Sequence, residues 1–191
     1  MHQDEIAQGE LIVLLEDECH LLWGDVGGMV WGKRNAPIVV PLTNERQRQT
    51  YYGALNLLTH EVHLWEGAAG DGENTVAYIQ WCQSLYPGKK LLLLWDGASY
   101  HRGAALQEFL GHENASLHET DWKVTCLLFA PNAPEQNPTE DIWLKGKTHL
   151  RKRFAVNKTF AHVKRCFFTF LSSLSFASTK LHWYWPEQQM I

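Results

Sequence analysis

The sequence has few cysteines and no long apolar stretch, and each absence argues against a class of protein. Its 191 residues contain four scattered cysteines, with no CxxC motif or Cys/His pairing. Neither a zinc site nor a disulfide framework is therefore indicated. No apolar run reaches the roughly 18 residues that a bilayer-spanning helix needs. The acidic first ten residues do not resemble a signal peptide, so a reduced, cytoplasmic setting is expected.

The sequence also lacks the net positive charge that is typical of nucleic-acid-binding proteins. Its 17 lysines and arginines stand against 21 acidic residues, which gives a net charge of -4. The charge distribution argues the other way, because the segment 145–165 contains no acidic residue. Its basic residues are Lys145, Lys147, Arg151, Lys152, Arg153, Lys158, Lys164 and Arg165. Charge alone leaves open whether this segment is a solvated helix face or a surface that contacts phosphates.

A hydrophobic content of 45% predicts a globular domain, and the apolar pattern predicts its elements. Short apolar runs predict strands at 11–15, 51–58, 62–65, 91–95 and 124–129, with an edge strand at 38–40. Helical spacing predicts helices at 76–86, at 103–110 with an end at Gly111, from Asn137 toward Phe154, and at 160–174. This order indicates a mixed α/β sheet with helices on its faces, although periodicity does not define the strand order.

Two aspartates follow apolar strands in the same way. Asp17 follows the run LIVLLE, and Asp96 follows the run LLLLW. Active sites of open α/β sheets collect at the carboxyl ends of strands, so neighbouring strands would bring the two carboxylates together. The carboxylates would then repel each other unless a cation such as Mg²⁺ or Mn²⁺ lay between them. Alternatively, each aspartate merely ends its strand, because Asp is common in turns.

The third acidic residue of interest, Glu140, is predicted to lie at the start of a helix. Asn137 suits the N-cap, Pro138 suits the first helical position, and Glu140 lies three residues past the cap. This spacing matches a capping box, in which the Glu140 side chain would bond the backbone N–H of Asn137. The local pattern alone favours this capping role over a role in metal binding.

Three segments of the chain resemble the three motifs of the mariner-like DDE transposases. The segment LLFAPNAPEQNPTEDIWLKGK resembles the third motif, LLLLWDGASYHRG the second, and LIVLLEDECHLLWG the first. The matching residues are Asp17 and Glu18, then Asp96 and His101, then Pro131, Pro134, Asn137, Pro138, Glu140 and Trp143. Gly97 replaces the usual Asn of the second motif, and extra residues around 111–122 lengthen the gap before the third. Within the superfamily, the chain is most similar to the bacterial insertion-sequence branch.

The resemblance implies a ribonuclease-H-like fold, with a five-stranded mixed sheet flanked by helices. It implies that Asp17, Asp96 and Glu140 are catalytic and hold two Mg²⁺ or Mn²⁺ ions. The implied reaction is cleavage of phosphodiester bonds at transposon ends, followed by attack of the freed 3′-hydroxyl on target DNA. The expected partner is double-stranded DNA, with a homodimer as a further expectation and a nucleoid-associated location in a bacterial cytoplasm.

Several supporting roles stay open in the sequence. Glu18 either supports the metal ligands or is a surface acid, and His101 contacts either the scissile phosphate or a local backbone group. Asn137 is expected to be a cap rather than a ligand, while Trp143 and Phe154 are expected in the core. The residues expected to contact DNA phosphates are Lys145, Lys147, Arg151, Lys152 and Arg153.

The resemblance also predicts the domain organisation. Residues 1–156 are expected to form the catalytic domain, with residues 157–191 as a helix and tail packed on it. Family members normally carry N-terminal helix-turn-helix modules, which we expect to be absent from this chain or encoded separately. Two other functions stay open: another ribonuclease-H-like nuclease such as a resolvase, and an inactive or repurposed remnant that binds DNA or a protein.

Overall fold

A computed structural model of the chain describes residues 2–27, 32–36, 47–130, 136–153, 155–178, 180–181 and 184. The edge strand predicted at 38–40 lies outside these residues, as do Pro131, Pro134 and Phe154.

The strands form one five-stranded mixed sheet. They are β1 (Leu11–Leu22), β2 (Arg48–Asn56), β3 (Val62–Gly67), β4 (Lys90–Trp95) and β5 (Val124–Leu128). Their spatial order is β3-β2-β1-β4-β5. The β1–β2 and β2–β3 pairs are antiparallel, whereas β1–β4 and β4–β5 are parallel. The expected mixed α/β architecture is confirmed. The structure also defines the strand order, which the apolar pattern of the sequence could not predict.

One short helix precedes the first strand, and the other helices lie between or after the strands. The helices are α1 (Gln3–Ala7), α2 (Gly72–Leu85), α3 (Ala104–Glu113), α4 (Thr139–Lys152) and α5 (Phe160–Ser172). The Asp71 side chain caps α2 by accepting a hydrogen bond from the backbone N–H of Asn74, and Thr159 caps α5 in the same way through His162. None of these described helices has the length and apolar character needed to cross a membrane.

The sheet is buried on both faces because its side chains alternate between two hydrophobic clusters. Leu15 of β1 packs in the cluster that contains Trp143 of α4 and Phe167 of α5. Leu14, one residue earlier, packs in the cluster that contains Tyr78 of α2. The β1 residues 13 and 15 therefore face α4 and α5, and residue 14 faces α2 and α3. The core position expected for Trp143 is confirmed.

Several element boundaries differ from the sequence prediction; for example, α2 begins at Gly72 rather than at residue 76, and β2 spans Arg48–Asn56 rather than 51–58. Two further differences have a clear physical cause. Strand β1 continues to Leu22 instead of ending near Leu15, because its second half pairs with β2 along the whole register from Leu14↔Asn56 to Leu22↔Arg48. Asp17 therefore lies within a strand rather than after one. Helix α3 passes through Gly111, because this glycine lies on open helix surface and has no positive φ that would end the helix.

Candidate active site

Asp17 and Asp96 occupy equivalent positions on two neighbouring strands. Leu15 of β1 is the register partner of Leu94 of β4, and each aspartate lies two residues further along its chain. The two strands are parallel, so both aspartates lie toward the same edge of the sheet. Alternation from Leu15, which packs against α4 and α5, places Asp17 on the α4 face. The sequence predicted that these two aspartates lie side by side at the ends of two strands, but only β4 ends next to its aspartate, since β1 continues to Leu22.

The Asp17 carboxyl group is bound by α4 and surrounded by other acids. Its Oδ2 accepts a hydrogen bond of 3.0 Å from Nε1 of Trp143, which lies three residues after Glu140. Burial and the charge of Glu18 raise the pKa of Asp17 to about 7, with further contributions from Asp96 and Glu140, while the Trp143 hydrogen bond works in the opposite direction. Ionised Asp17 is therefore costly in the free protein, and a neighbouring cation would remove that cost.

The start of α4 departs from the predicted capping box. The helix begins at Thr139 with Pro138 as its N-cap, so Asn137 lies one residue before the cap. Asn137 still contributes, since its Oδ1 accepts a hydrogen bond of 3.0 Å from the backbone N–H of Thr139. Within the described ranges, no hydrogen bond joins Glu140 to Asn137, and Glu140 is exposed in the first turn. The helix therefore begins one residue later than predicted, and the predicted reciprocal bond from Glu140 is not formed among the described residues.

Two buried polar side chains fasten the start of α4 to β1. The Thr139 hydroxyl donates to the carbonyl oxygen of Leu15 at 2.8 Å, and Asn137 Nδ2 donates to the carbonyl oxygen of Glu16 at 3.4 Å. Both acceptors immediately precede Asp17 in the chain. These bonds fix the first turn of α4, which carries Glu140, beside Asp17. Sequence reasoning did not identify Thr139, since a threonine next to a predicted cap carries no distinctive signal.

His101 is buried and holds Asp96. It lies in the short 3-10 helix Ser99–Arg102, and its ring stacks on Trp95 with 4.2 Å between the ring centroids. Its Nδ1 is 3.1 Å from the Asp96 carbonyl oxygen and 3.2 Å from Asp96 Oδ1. Burial lowers the pKa of His101, but the hydrogen bond and charge of Glu18, together with Asp96, outweigh burial and raise it. The sequence left open whether His101 contacts the scissile phosphate or a local backbone group, and in the structure it contacts a local backbone group, the carbonyl of Asp96.

Glu16 and Glu18 lie beside His101 on the α2 face of the sheet. The Glu18 side chain is only 6% exposed, with Oε1 3.2 Å from His101 Nε2, so the surface-acid interpretation is wrong. Glu16 is fully buried, and burial followed by the charges of Glu18, Asp17 and Asp96 raises its pKa well above the ordinary value. Sequence reasoning missed Glu16, although period-two alternation along β1 would have paired it with Glu18.

Metal-ligating atoms come closest together in this second cluster. One ligand atom each from Glu16, Glu18 and His101 lies within 4.8 Å of the others, and no other triad of His, Cys, Asp or Glu in the described ranges meets that criterion. The predicted ligands Asp17, Asp96 and Glu140 are therefore more widely spaced than this triad. The charges of Asp96 and Glu140 nevertheless contribute to the raised pKa of Asp17, after burial and the charge of Glu18.

The predicted DNA-contacting residues divide into two groups. Lys147 forms an ion pair of 3.5 Å with Asp25, and Arg151 Nε donates to the Gly27 carbonyl oxygen at 3.2 Å. The remaining residues, Lys145, Lys152 and Arg153, are exposed at or near the C-terminal half of α4. The structure thus places this second group where solvent, or a polyanion, can reach it.

The sequence matches one family model over most of its length. A model for the family described as DDE superfamily endonuclease matches residues 13–160, a range that contains Asp17, Asp96 and Glu140. No curated protein sequence matches the chain at a significant level.

Solved structures with the same fold include transposase and viral integration complexes. A pre-cleavage Mos1 transpososome matches with a TM-score of 0.56 and 12% identity, over 92% of this chain and 51% of that chain. The Mos1 transposase paired-end complex matches with a TM-score of 0.52 and 12% identity, over 92% and 50%. The simian T-cell lymphotropic virus intasome, in complex with PP2A regulatory subunit B56 gamma, matches with a TM-score of 0.56 and 10% identity, over 93% and 55%. The chain spans about half the length of these proteins, and at such identities the likeness shows the ribonuclease-H-like fold.

Proposed function

The chain belongs to the DDE superfamily endonucleases, and on that premise we propose that it is the catalytic domain of a DNA transposase. The proposed reaction is metal-dependent cleavage of phosphodiester bonds at transposon ends, followed by attack of the freed 3′-hydroxyl on target DNA. The observation that carries this proposal is the Asp17 carboxyl group. It is fixed by Trp143, and its pKa is raised by burial and by the surrounding acids that include Asp96 and Glu140.

The donor set fits Mg²⁺ or Mn²⁺. Asp17, Asp96 and Glu140 offer only carboxylate oxygens, the ligands that these hard cations prefer. Across the described ranges, no lysine or arginine forms an ion pair with any of the three, and Asp96 pairs only with His101. We propose that these three residues hold two ions. When bound, such ions supply an activated attacking oxygen and stabilise the departing 3′-oxygen.

The protein's own contribution is to position the carboxylates. The Trp143 indole fixes Asp17 through one hydrogen bond, and the buried His101 ring fixes Asp96 through its backbone and side-chain oxygens. Glu140 is carried by the first turn of α4, which is fastened to β1. Rigid placement of ligands within a fraction of an ångström is what metal-assisted phosphoryl chemistry demands of a scaffold.

Double-stranded DNA is the proposed partner. The exposed residues Lys145, Lys152 and Arg153 can contact phosphates, which position a duplex but carry no sequence information. Recognition of transposon ends is therefore assigned to a helix-turn-helix module outside this domain. The division at residue 156, the homodimer, the bacterial insertion-sequence branch and the location at the nucleoid stay predictions.

Nicking of supercoiled plasmid DNA in Mn²⁺ tests the proposed activity. We expect the wild-type chain to nick and the isosteric variant Glu140→Gln to lose activity by on the order of 100-fold or more. Asp141→Asn is the matched control, because the Asp141 side chain pairs with Lys180. Equal nicking by wild type and Glu140→Gln would contradict the assignment of Glu140.

Binding to short duplexes tests the absence of end recognition. We expect equal affinity for a terminal-repeat duplex and for a scrambled duplex of the same length, because phosphate contacts do not distinguish them. A strong preference for the terminal repeat would show a recognition surface within this chain. A wild-type chain that binds duplexes but never nicks would instead favour the DNA-binding remnant as its function.

A further inference from the structure

We propose that Glu16, Glu18 and His101 form a second cation site, for a transition-metal ion such as Zn²⁺, separate from the carboxylate site that contains Asp17. The site lies within the core on the α2 side of the sheet. It requires no residue of the proposed DNA-cleaving site as a ligand.

The two sites lie on opposite faces of β1. Leu14 packs against α2 and Leu15 packs against α4 and α5, so residues 16 and 18 share the face of Leu14. Glu16 and Glu18 accordingly meet His101, while Asp17 meets Trp143. Strand β1 therefore separates Asp17 from Glu16 and Glu18, whereas Asp96 contacts His101 only at Nδ1, the ring nitrogen that does not face the two glutamates.

The donor atoms have a spacing that one small cation can span. His101 Nε2 is 3.2 Å from Glu18 Oε1 and 3.9 Å from Glu16 Oε2. Donors of a tetrahedral Zn²⁺ with bonds of about 2.0–2.1 Å are about 3.3 Å apart. A small inward movement of the Glu16 carboxylate would complete a three-ligand set, which leaves a fourth position for water.

The hydrogen bonds of His101 Nδ1 leave the Nε2 atom of the ring free to bind a metal ion between Glu16 and Glu18. Nδ1 lies against the Asp96 carbonyl and carboxylate oxygens, which only accept hydrogen bonds, so Nδ1 carries a proton. Metal-ligating histidines typically donate the ring N–H that does not face the metal to such an oxygen. Nε2 is thereby directed toward Glu16 and Glu18.

Protonation of His101 at Nε2 is the alternative explanation for its short contact with Glu18, but it gives the Glu16 carboxyl group no hydrogen-bond partner. An imidazolium would satisfy Glu18 at 3.2 Å, but 3.9 Å is too long for a hydrogen bond to Glu16. Both carboxylate oxygens of Glu16 are fully buried, and neither accepts a hydrogen bond from any residue that the structure describes. A buried carboxyl group without a partner is costly, whereas a divalent cation would bind both carboxylates and the nitrogen together. The imidazole donor favours Zn²⁺ over Mg²⁺.

Equilibrium dialysis against Zn²⁺, followed by metal analysis, tests the site. The measurement uses the full chain carrying Glu140→Gln, which disables the proposed carboxylate site without touching His101. We expect one tightly bound Zn²⁺ per chain, with affinity lowered at least about 10-fold by adding the isosteric change Glu16→Gln. Glu66→Gln, which alters an exposed acid on β3, is the matched control and should leave Zn²⁺ binding unchanged. Equal affinities in the Glu16→Gln and Glu66→Gln proteins would overturn the proposal.

A spectroscopic measurement provides a second test in case the substitution at the buried residue Glu16 prevents folding. With Mn²⁺ as the probe, pulsed electron paramagnetic resonance of the Glu140→Gln chain should show coupling to an imidazole ¹⁴N nucleus. The coupling should disappear in His101→Gln and persist in His20→Gln, a control histidine on the same strand as Glu16. Coupling that is absent, or that survives His101→Gln, would overturn the site. Neither readout depends on DNA nicking, so failure here is distinct from failure of the proposed activity.

Discussion

The indole ring of Trp143 occupies the space into which a side chain at residue 53 would project, and residue 53 is glycine. A Cβ atom at Gly53 would collide with the Trp143 ring. Gly53 is also the cross-strand partner of Asp17, whose carboxyl group accepts the Trp143 hydrogen bond. The glycine therefore lets α4 approach the sheet closely enough to hold Asp17.

Gly53→Ala should destabilise the protein and disturb the carboxylate site. Overpacking of this kind costs about 1–3 kcal/mol, so the urea midpoint should fall by a corresponding amount. Gly111→Ala is the control, because Gly111 lies on open helix surface, where alanine should stabilise by up to about 1 kcal/mol. Wild-type stability in Gly53→Ala would contradict the packing of Trp143 described above.

The fold was predictable from the sequence because its apolar runs are short and its helical spacing is regular. Asp96 follows an apolar run that does end as a strand, so its position was predicted correctly. Asp17 was placed correctly beside it, but for an incomplete reason. The acids from Glu16 to Glu18 interrupt the apolar run, whereas the strand continues because β2 pairs with it up to Leu22.

The surroundings of the site were less predictable, because they depend on contacts between residues far apart in the chain. His101 meets Glu18 across 83 positions, and Thr139 meets Leu15 across 124. A local sequence pattern cannot predict contacts between residues separated by so many positions in the chain. The burial of Glu18 could not be inferred either, since acidic residues are rarely buried unless a partner compensates them.

The stability of the metal-free protein should fall as the pH rises through about 7. The pKa of Asp17 is raised from 3.8 to about 7, so between these values the folded state holds a proton that the unfolded state has released. The stabilisation linked to this proton is complete below pH 4 and is lost above pH 7. Urea unfolding in EDTA, measured from pH 4.5 to 8, should show this decline, and Asp17→Asn should reduce it. Identical pH profiles for the two proteins would show that Asp17 titrates normally.

Mg²⁺ or Mn²⁺ should raise the melting temperature, because a cation that binds only the folded state stabilises it. Calorimetric titration should show weak binding that Asp96→Asn weakens further, since an amide offers no negative charge to the ion. Asp121→Asn is the control, because Asp121 is exposed near the start of β5, at the opposite end of the sheet. Equal Mg²⁺ affinity in wild type and Asp96→Asn would remove Asp96 from the site.

Neutralising the exposed basic residues of α4 should weaken DNA binding equally for all sequences. The triple variant Lys145→Gln, Lys152→Gln and Arg153→Gln removes up to three phosphate contacts. Each lost contact should reduce the slope of log affinity against log salt by roughly 0.9. Gel-shift titrations of two unrelated duplexes between low and moderate salt measure this slope.

Lys89→Gln provides the control for this last prediction, because Lys89 is exposed just before β4, at the end of the sheet remote from Asp96. Its slope should match that of wild type, since a duplex aligned with the carboxylate site would not reach it. An unchanged slope in the triple variant would exclude α4 as the DNA-contacting surface. A smaller slope in Lys89→Gln would instead place the duplex at the opposite end of the sheet, where no carboxylate of the proposed site could reach its phosphates.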